Sequence, residues 1–262
     1  MTPGRSASLP IRPDPEPTPG SELSPPELHA VEPGKLLIFP APVRVVAPEV
    51  ATPSRTRLAL EFLVLFVALP LALFLHLDAV LPPLALLWIA AAAGLVVLLR
   101  DPTFDRHRLW NAAPLRRQIP QVLALFAAGV VVLTVLVYQY EPALFLGLPR
   151  HHPAAWLLLM VLYPVSSVYP QSLVYRAFLF HRYRSLLESP RLMILVSALA
   201  FSFAHIVFHN WIAVALTIPG GILFARRYAD TRSLAVSGLE HALYGCLLFT
   251  LGLGPFFGVH LL

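Results

Sequence analysis

Seven stretches of the chain are apolar almost without interruption, and short polar clusters separate them. They are Leu58–Leu77, Leu81–Leu99, Ile119–Tyr138, a segment from Ala154 towards Leu187, Leu192–Phe208, Trp211–Ala225 and Leu234–Leu253. Apolar runs of about 20 residues suit helices that cross a ~30 Å hydrocarbon core. Inside lipid a backbone must satisfy its own polar groups, and a helix does so within one segment. The pattern therefore predicts an all-α polytopic transmembrane bundle of about seven spans. Two spans carry interruptions. Pro164 and Pro170 are expected to kink or break the fourth. The sixth is short, and Pro219-Gly220-Gly221 leaves it open to a bend or a partial re-entry.

Composition agrees with the pattern. The chain of 262 residues is 57% hydrophobic and 13% charged, against about a quarter charged in soluble domains. A net charge of +5 could suggest nucleic acid. In a chain this apolar, arginine near cytoplasmic headgroups explains the charge better, so nucleic-acid binding is set aside. Arg100, Arg106, Arg108, Arg116 and Arg117 place the connection at 100–118 in the cytoplasm, with the N-terminus inside and the C-terminus outside. Within that connection, "RHRLWNAAPLRR" reads as an interfacial elbow. Residues 1–54 hold about half of the 27 prolines and read as a disordered or interfacial Pro-rich arm, without the apolar core of a signal peptide. The stretch 35–46 within it is more apolar and suits the membrane surface. Residues 55–153 then form three N-terminal helices and the elbow, and 154–262 a transmembrane core. Arginine outnumbers lysine 18 to one. That bias fits a GC-rich bacterial genome, hence the expectation of a bacterial cytoplasmic (inner) membrane. Cys246 is the single cysteine, which removes intrachain disulfides and cysteine-based metal clusters.

The last four spans contain polar groups that lipid does not favour: Gln171, Ser172, Arg176, His205, His209, Glu240 and His241. Ionisable residues at bilayer depth are costly and tend to be functional. Ser172 and Arg176 are one helical turn apart and share a face. Each residue also has a plainer reading. Arg176 could snorkel to the interface, His209 could cap a turn, and Glu240 could pair with Arg232 or another loop arginine. The combination of two intramembrane histidines with an arginine is what argues for a site.

"QSLVYRAFLF", "FSFAH" and "EHALYGCLLF" follow one another on three apolar helices. They resemble the three motifs of the CAAX-protease and bacteriocin-processing family of intramembrane endopeptidases, E-E-x-x-x-R, F-x-x-x-H and H-x-x-x-N/D. The resemblance covers roughly 154–255. Arg176, Phe201, His205 and His241 stand where the family has its Arg, Phe and two His. Gln171 and Ser172 replace the Glu pair, and Gly245 replaces the Asn/Asp. The resemblance implies that a Glu with His205 activates water, that His241 and position 245 face the oxyanion, and that Arg176 holds the Glu pair. Tyr175, Glu240 and His209 are secondary candidates beside these.

Neither Gln171 nor Ser172 is a useful base near neutral pH, so Ser172 is the decisive departure. Three accounts follow: a pseudoprotease scaffold that binds a membrane partner, a base relocated to Glu240, or an inactivating change in an active protease. The expected substrate is a membrane-anchored peptide or protein. It carries a C-terminal sorting tag, a leader or a CAAX-like tail, and enters laterally among the fourth, fifth and seventh helices. Zinc is the one cofactor left open, through His205, His209 and His241. A transporter is disfavoured because no internal repeat is visible. His205 reads as lying towards the outer side and His241 as mid-membrane to inner.

Overall fold

The computed structural model describes residues 53–75 and 82–259. Nearly all of the Pro-rich arm, including 35–46, lies outside the described residues. Among the described residues seven helices are long and apolar enough to cross a membrane: α1 Arg55–Phe74, α2 Pro83–Arg100, α3 Leu115–Tyr140, α4 Pro153–Arg182, α5 Pro190–Phe208, α6 Trp211–Thr231 and α7 Leu234–Leu251. The described residues contain no strand, and the chain is an integral membrane protein of the expected all-α class.

The prolines of α4 do not break it. The helix widens instead into π turns at Pro164–Val168 and Leu173–Phe178, as α-helices do at special sites. Proline lacks an N–H for the carbonyl four residues back, and neighbouring helices approach the freed groups. Cys246 Sγ of α7 lies 4.0 Å from the Met160 carbonyl, and Trp88 Nε1 of α2 donates to the Ser166 carbonyl at 2.9 Å. In lipid such replacement donors are what make intrahelical proline tolerable.

Helix α6 is continuous through Pro219 to Thr231, neither broken nor re-entrant. Its length comes from Arg226 and Arg227, which extend the helix rather than starting a loop. Asn210 caps its start by accepting from the Ala213 N–H at 2.8 Å. Small and hydroxylated residues then zip it to α5. Ser202 Oγ donates to the Val214 carbonyl (2.6 Å) and lies 3.0 Å from Thr217 Oγ1, the kind of packing that holds helices together in lipid. Gly221 lets the backbones close up, because a Cβ there would come 3.0 Å from the Ala198 carbonyl oxygen and 3.1 Å from its Cα. Backbone cannot swing aside as a side chain can. Gly221→Val is therefore expected to destabilise the protein by about 1–3 kcal/mol, read as a lower unfolding midpoint in detergent. An unchanged midpoint would mean that the two helices are free to slide apart.

Half of the apolar window of α7 is buried, against 6% for α3. Helix α7 is thus the central post, and α3 faces lipid through Val131, Val132 and Val135. Where α2 ends, Asp101 accepts from the Thr103 hydroxyl (2.6 Å) and N–H (2.8 Å) and lies 2.7 Å from His181 Nε2 of α4. Burial works against the charged carboxyl. The Thr103 and His181 donors outweigh it and hold Asp101 down at about 2. Its stabilising contribution is present above the ordinary value of 3.8 and is lost as pH falls through about 2.

Candidate active site

Phe201 gathers the motif residues. Its ring centroid lies 5.0 Å from the Arg176 guanidinium carbon, 4.8 Å from the His205 ring and 5.3 Å from the His241 ring. Three residues far apart in sequence thus meet on one aromatic side chain. The contacts combine a cation–π approach with edge-on ring packing.

Arg176 does not snorkel; it is 2% exposed. Its Nη1 donates to Ser197 Oγ at 2.7 Å and to the Tyr175 carbonyl at 3.2 Å, and its Nη2 to the Gly221 carbonyl at 3.5 Å. Ser197 Oγ donates in turn to the Tyr175 carbonyl at 2.7 Å. The π turn at Leu173–Phe178 gives that carbonyl room for two side-chain donors. Among the described residues no carboxylate lies within ion-pair distance of Arg176. Neutral oxygens and the face of Phe201 answer its charge.

His205 sits in the tight last turn of α5, Ala204–Phe208. Its Nδ1 is 2.7 Å from the Phe201 carbonyl oxygen. A carbonyl can only accept, so Nδ1 carries the proton. The lone pair of the neutral ring is then on Nε2. Rings of Phe201, Phe208 and Phe257 pack around it at centroid distances of 4.8, 5.7 and 6.0 Å.

His205 also lines a cavity of about 1010 Å³. The cavity runs along α1 from Arg57 to Leu73, and α2, α4 and the segment 257–259 wall its other sides. At 1.5 Å per residue its α1 wall is about 24 Å long. Tyr163, Gln171 and Tyr175 line it as well. Gln171 Nε2 donates to Ser167 Oγ at 2.8 Å, while its Oε1 is buried with no hydrogen-bond partner among the described residues. A buried acceptor without a donor is costly, so the Gln171 amide gains a hydrogen bond by turning its oxygen into the cavity. One polar group marks the cavity near the start of α1: Arg182 grips Glu61 with two bonds of 2.8 and 2.6 Å, and the Tyr183 hydroxyl donates to the same carboxylate at 3.2 Å.

The other candidates lie off this cavity. Ser172 is buried facing α7, where a Cβ on Gly238 would be 3.8 Å from its Oγ. His241 stacks on Phe224, centroids 4.6 Å apart and planes at 20°. Glu240 is fully buried and takes two bonds from Arg227 of α6, 2.9 Å from Nε and 3.0 Å from Nη2. That Arg227 also donates to Gln118 and Gln121 of α3. The plain reading of Glu240, pairing with an arginine, is therefore the one the geometry carries, with Arg227 in place of Arg232. His209 occupies the left-handed turn after α5 (φ 55°) and stacks on Phe74 at 4.7 Å. Among the described residues no three His, Cys, Asp or Glu side chains converge as a metal site.

Gly245 lies one turn after His241, and the side chain it lacks is replaced by another residue. A Cβ on Gly245 would collide with the ring and hydroxyl of Tyr163. That tyrosine sits inside an apolar run of α4, where nothing in the local sequence singles it out. The signal was indirect: a glycine where a polar side chain is expected leaves a space that some neighbour must fill. The participation of α1 and α2 in the cavity is likewise invisible to the motifs, which lie on α4, α5 and α7.

Residues 153–247 match the family model described as Rce1-like, type II CAAX prenyl endopeptidase Rce1-like. This bears out the resemblance to the CAAX-protease family over that span, which runs from the first residue of α4 into α7. No curated protein and no solved structure matches the chain.

Proposed function

We propose that this membrane protein, whose core is of the CAAX-protease type, is an intramembrane endopeptidase that cuts a peptide bond beside an apolar anchor. The anchor belongs to a C-terminal sorting tag, a leader or a CAAX-like tail, held in the cavity between α1, α2 and α4. One observation carries the reading: Gln171 and His205 line the same cavity, and His205 is fixed with its free lone pair on Nε2. A water in that cavity would offer one proton to His205 Nε2 and the other to the Gln171 amide once its oxygen turns into the cavity. Gln171 would orient it, and His205 would take its proton as the oxygen attacks the peptide carbonyl. The protonated His205 then returns the proton to the departing amine. Arg176, clamped under Phe201, positions the aromatic floor of the site. The chain would sit in a bacterial cytoplasmic membrane with the connection at 100–118 inside.

An internally quenched peptide with an apolar tail tests this in proteoliposomes. Cleavage should be measurable, and His205→Gln should lower kcat by about 10²–10⁴-fold. Undiminished turnover by His205→Gln would remove His205 from the mechanism. A second reading rests on the neutral surroundings of Arg176. A protein with no acid beside that arginine is also suited to hold a membrane partner without cutting it. A stable complex with an intact partner and no product at any enzyme concentration would favour that scaffold.

A further inference from the structure

Tyr163 is the polar group that the motifs do not contain. It lines the cavity with Gln171 and His205. Its ring packs edge-on to Phe249 at 4.9 Å and to His241 at 6.5 Å, with interplanar angles of 82° and 86°. Its hydroxyl end lies over Gly245, where any side chain would displace it. Trp156, Trp88, Tyr183 and Tyr244 all give their polar hydrogens to protein oxygens. The Tyr163 hydroxyl gives its proton to none of the described residues. A phenol at the wall of a water-poor site is a strong neutral donor, held in place before the reaction by packing rather than by solvent.

We propose that Tyr163 donates its hydroxyl hydrogen to the carbonyl oxygen under attack, and that Gly245 is the vacancy that admits it. The inference rests on the endopeptidase reading above. As water adds to the carbonyl carbon and its proton passes to His205 Nε2, the C–O double bond becomes a single bond to a negatively charged oxygen. The Tyr163 hydrogen bond shortens onto that oxygen. When the C–N bond breaks, the carbonyl reforms, the amine takes the proton from His205, and Tyr163 ends as it began. The tyrosine keeps its proton throughout, so its contribution is charge stabilisation alone. Helix α4 would thus supply both the water-orienting Gln171 and the oxyanion donor Tyr163. Gln171 lies about two turns further along the helix from Tyr163, which suits a bond lying along α4.

Two probes separate this role from a structural one: a peptide with a farnesylated cysteine fourth from its C-terminus, and the same peptide with a phosphinate replacing the amide after that cysteine. The phosphinate carries a tetrahedral, negatively charged centre; the plain peptide does not. Binding needs no turnover, so the test works even where the missing carboxylate makes cleavage slow. Tyr163→Phe keeps the ring contacts with Phe249 and His241 and removes only the hydroxyl. It should weaken phosphinate binding at least about tenfold, as loss of one charge-assisted hydrogen bond does, and leave the plain peptide unchanged. Gly245→Ala, which displaces the ring without touching the hydroxyl chemically, should show the same selective loss. Equal weakening of both probes, or no weakening of either, overturns the assignment of Tyr163 while leaving the peptide site standing. If neither probe binds the unaltered protein and the quenched apolar-tailed peptide is not cut either, the endopeptidase reading falls and this inference falls with it.

Discussion

Glu240→Gln should unfold this protein more readily than any other single change in its polar network, by about 3–5 kcal/mol. The glutamate is fully buried and its partner Arg227 is 4% exposed. Two parallel bonds of 2.9 and 3.0 Å join them. Glutamine preserves the shape and cancels the charge, so a guanidinium would remain inside the bundle with only the Gln118 and Gln121 amides opposite it. The cost comes from that stranded cation and not from the worth of the pair itself. Replacing both members, as Arg227→Met with Glu240→Leu, should return most of the lost stability, because apolar substitutes often match a buried pair. Unfolding midpoints in one detergent at one protein concentration would read both effects. A negligible loss in Glu240→Gln would mean that water reaches the pair. The bridge ties α6, α7 and α3 together beside His241, so it also fixes which face of α7 meets Phe201.

Ser172→Glu should raise cleavage by about tenfold or more, because a carboxylate buried behind the cavity favours the protonated form of His205, which remains the group that takes the proton. Arg176 stands one turn further along α4 with no counter-ion among the described residues, bonded to Ser197 and two carbonyls and set against the Phe201 ring. A carboxylate at position 172 would meet that charge across i,i+4 spacing. Gly238 opposite has no side chain to obstruct it. The new carboxylate would be kept ionised by the arginine and placed between α4 and α7. Ser172→Gln has the same length and no charge, so it should leave the rate near that of the parent. A rate gain shared by both substitutions would trace to packing, and the electrostatic role of the carboxylate would be discarded.

The seven spans were legible because lipid demands long apolar helices, and the pattern of Leu, Val and Ala supplies them directly. Where boundaries shifted, side chains had altered the balance. Arg226 and Arg227 read as loop residues because they are charged, yet Arg227 is buried against Glu240 and α6 runs on to Thr231. Pro164 and Pro170 read as breaks because each removes a donor. Nothing local reveals that Cys246 and Trp88 come from other helices to approach the freed carbonyls. The motif spacing placed Arg176, His205 and His241 around one centre, and the meeting point is Phe201. The sequence could not disclose that Gln171 and His205 share a cavity while Ser172 faces the other way. Gln171 and Ser172 lie in the α-helical stretch Tyr169–Ser172, where neighbours diverge by about 100°, and the π turns before and after it shift their faces relative to the rest of α4. Tyr163 stayed hidden for a related reason: its partner is the missing side chain of Gly245.

The central claim is that His205 removes a proton from water at this cavity. Co-expression in membranes with tagged membrane proteins, read by product mass, tests it most directly for three versions: the unaltered chain, Ser172→Glu, and Ser172→Glu with His205→Ala. The account predicts a slow cut by the first, a fast cut at the same bond by the second, and no cut by the third. Equal cutting with and without His205, or no cut by any version beside an intact bound partner, would contradict it.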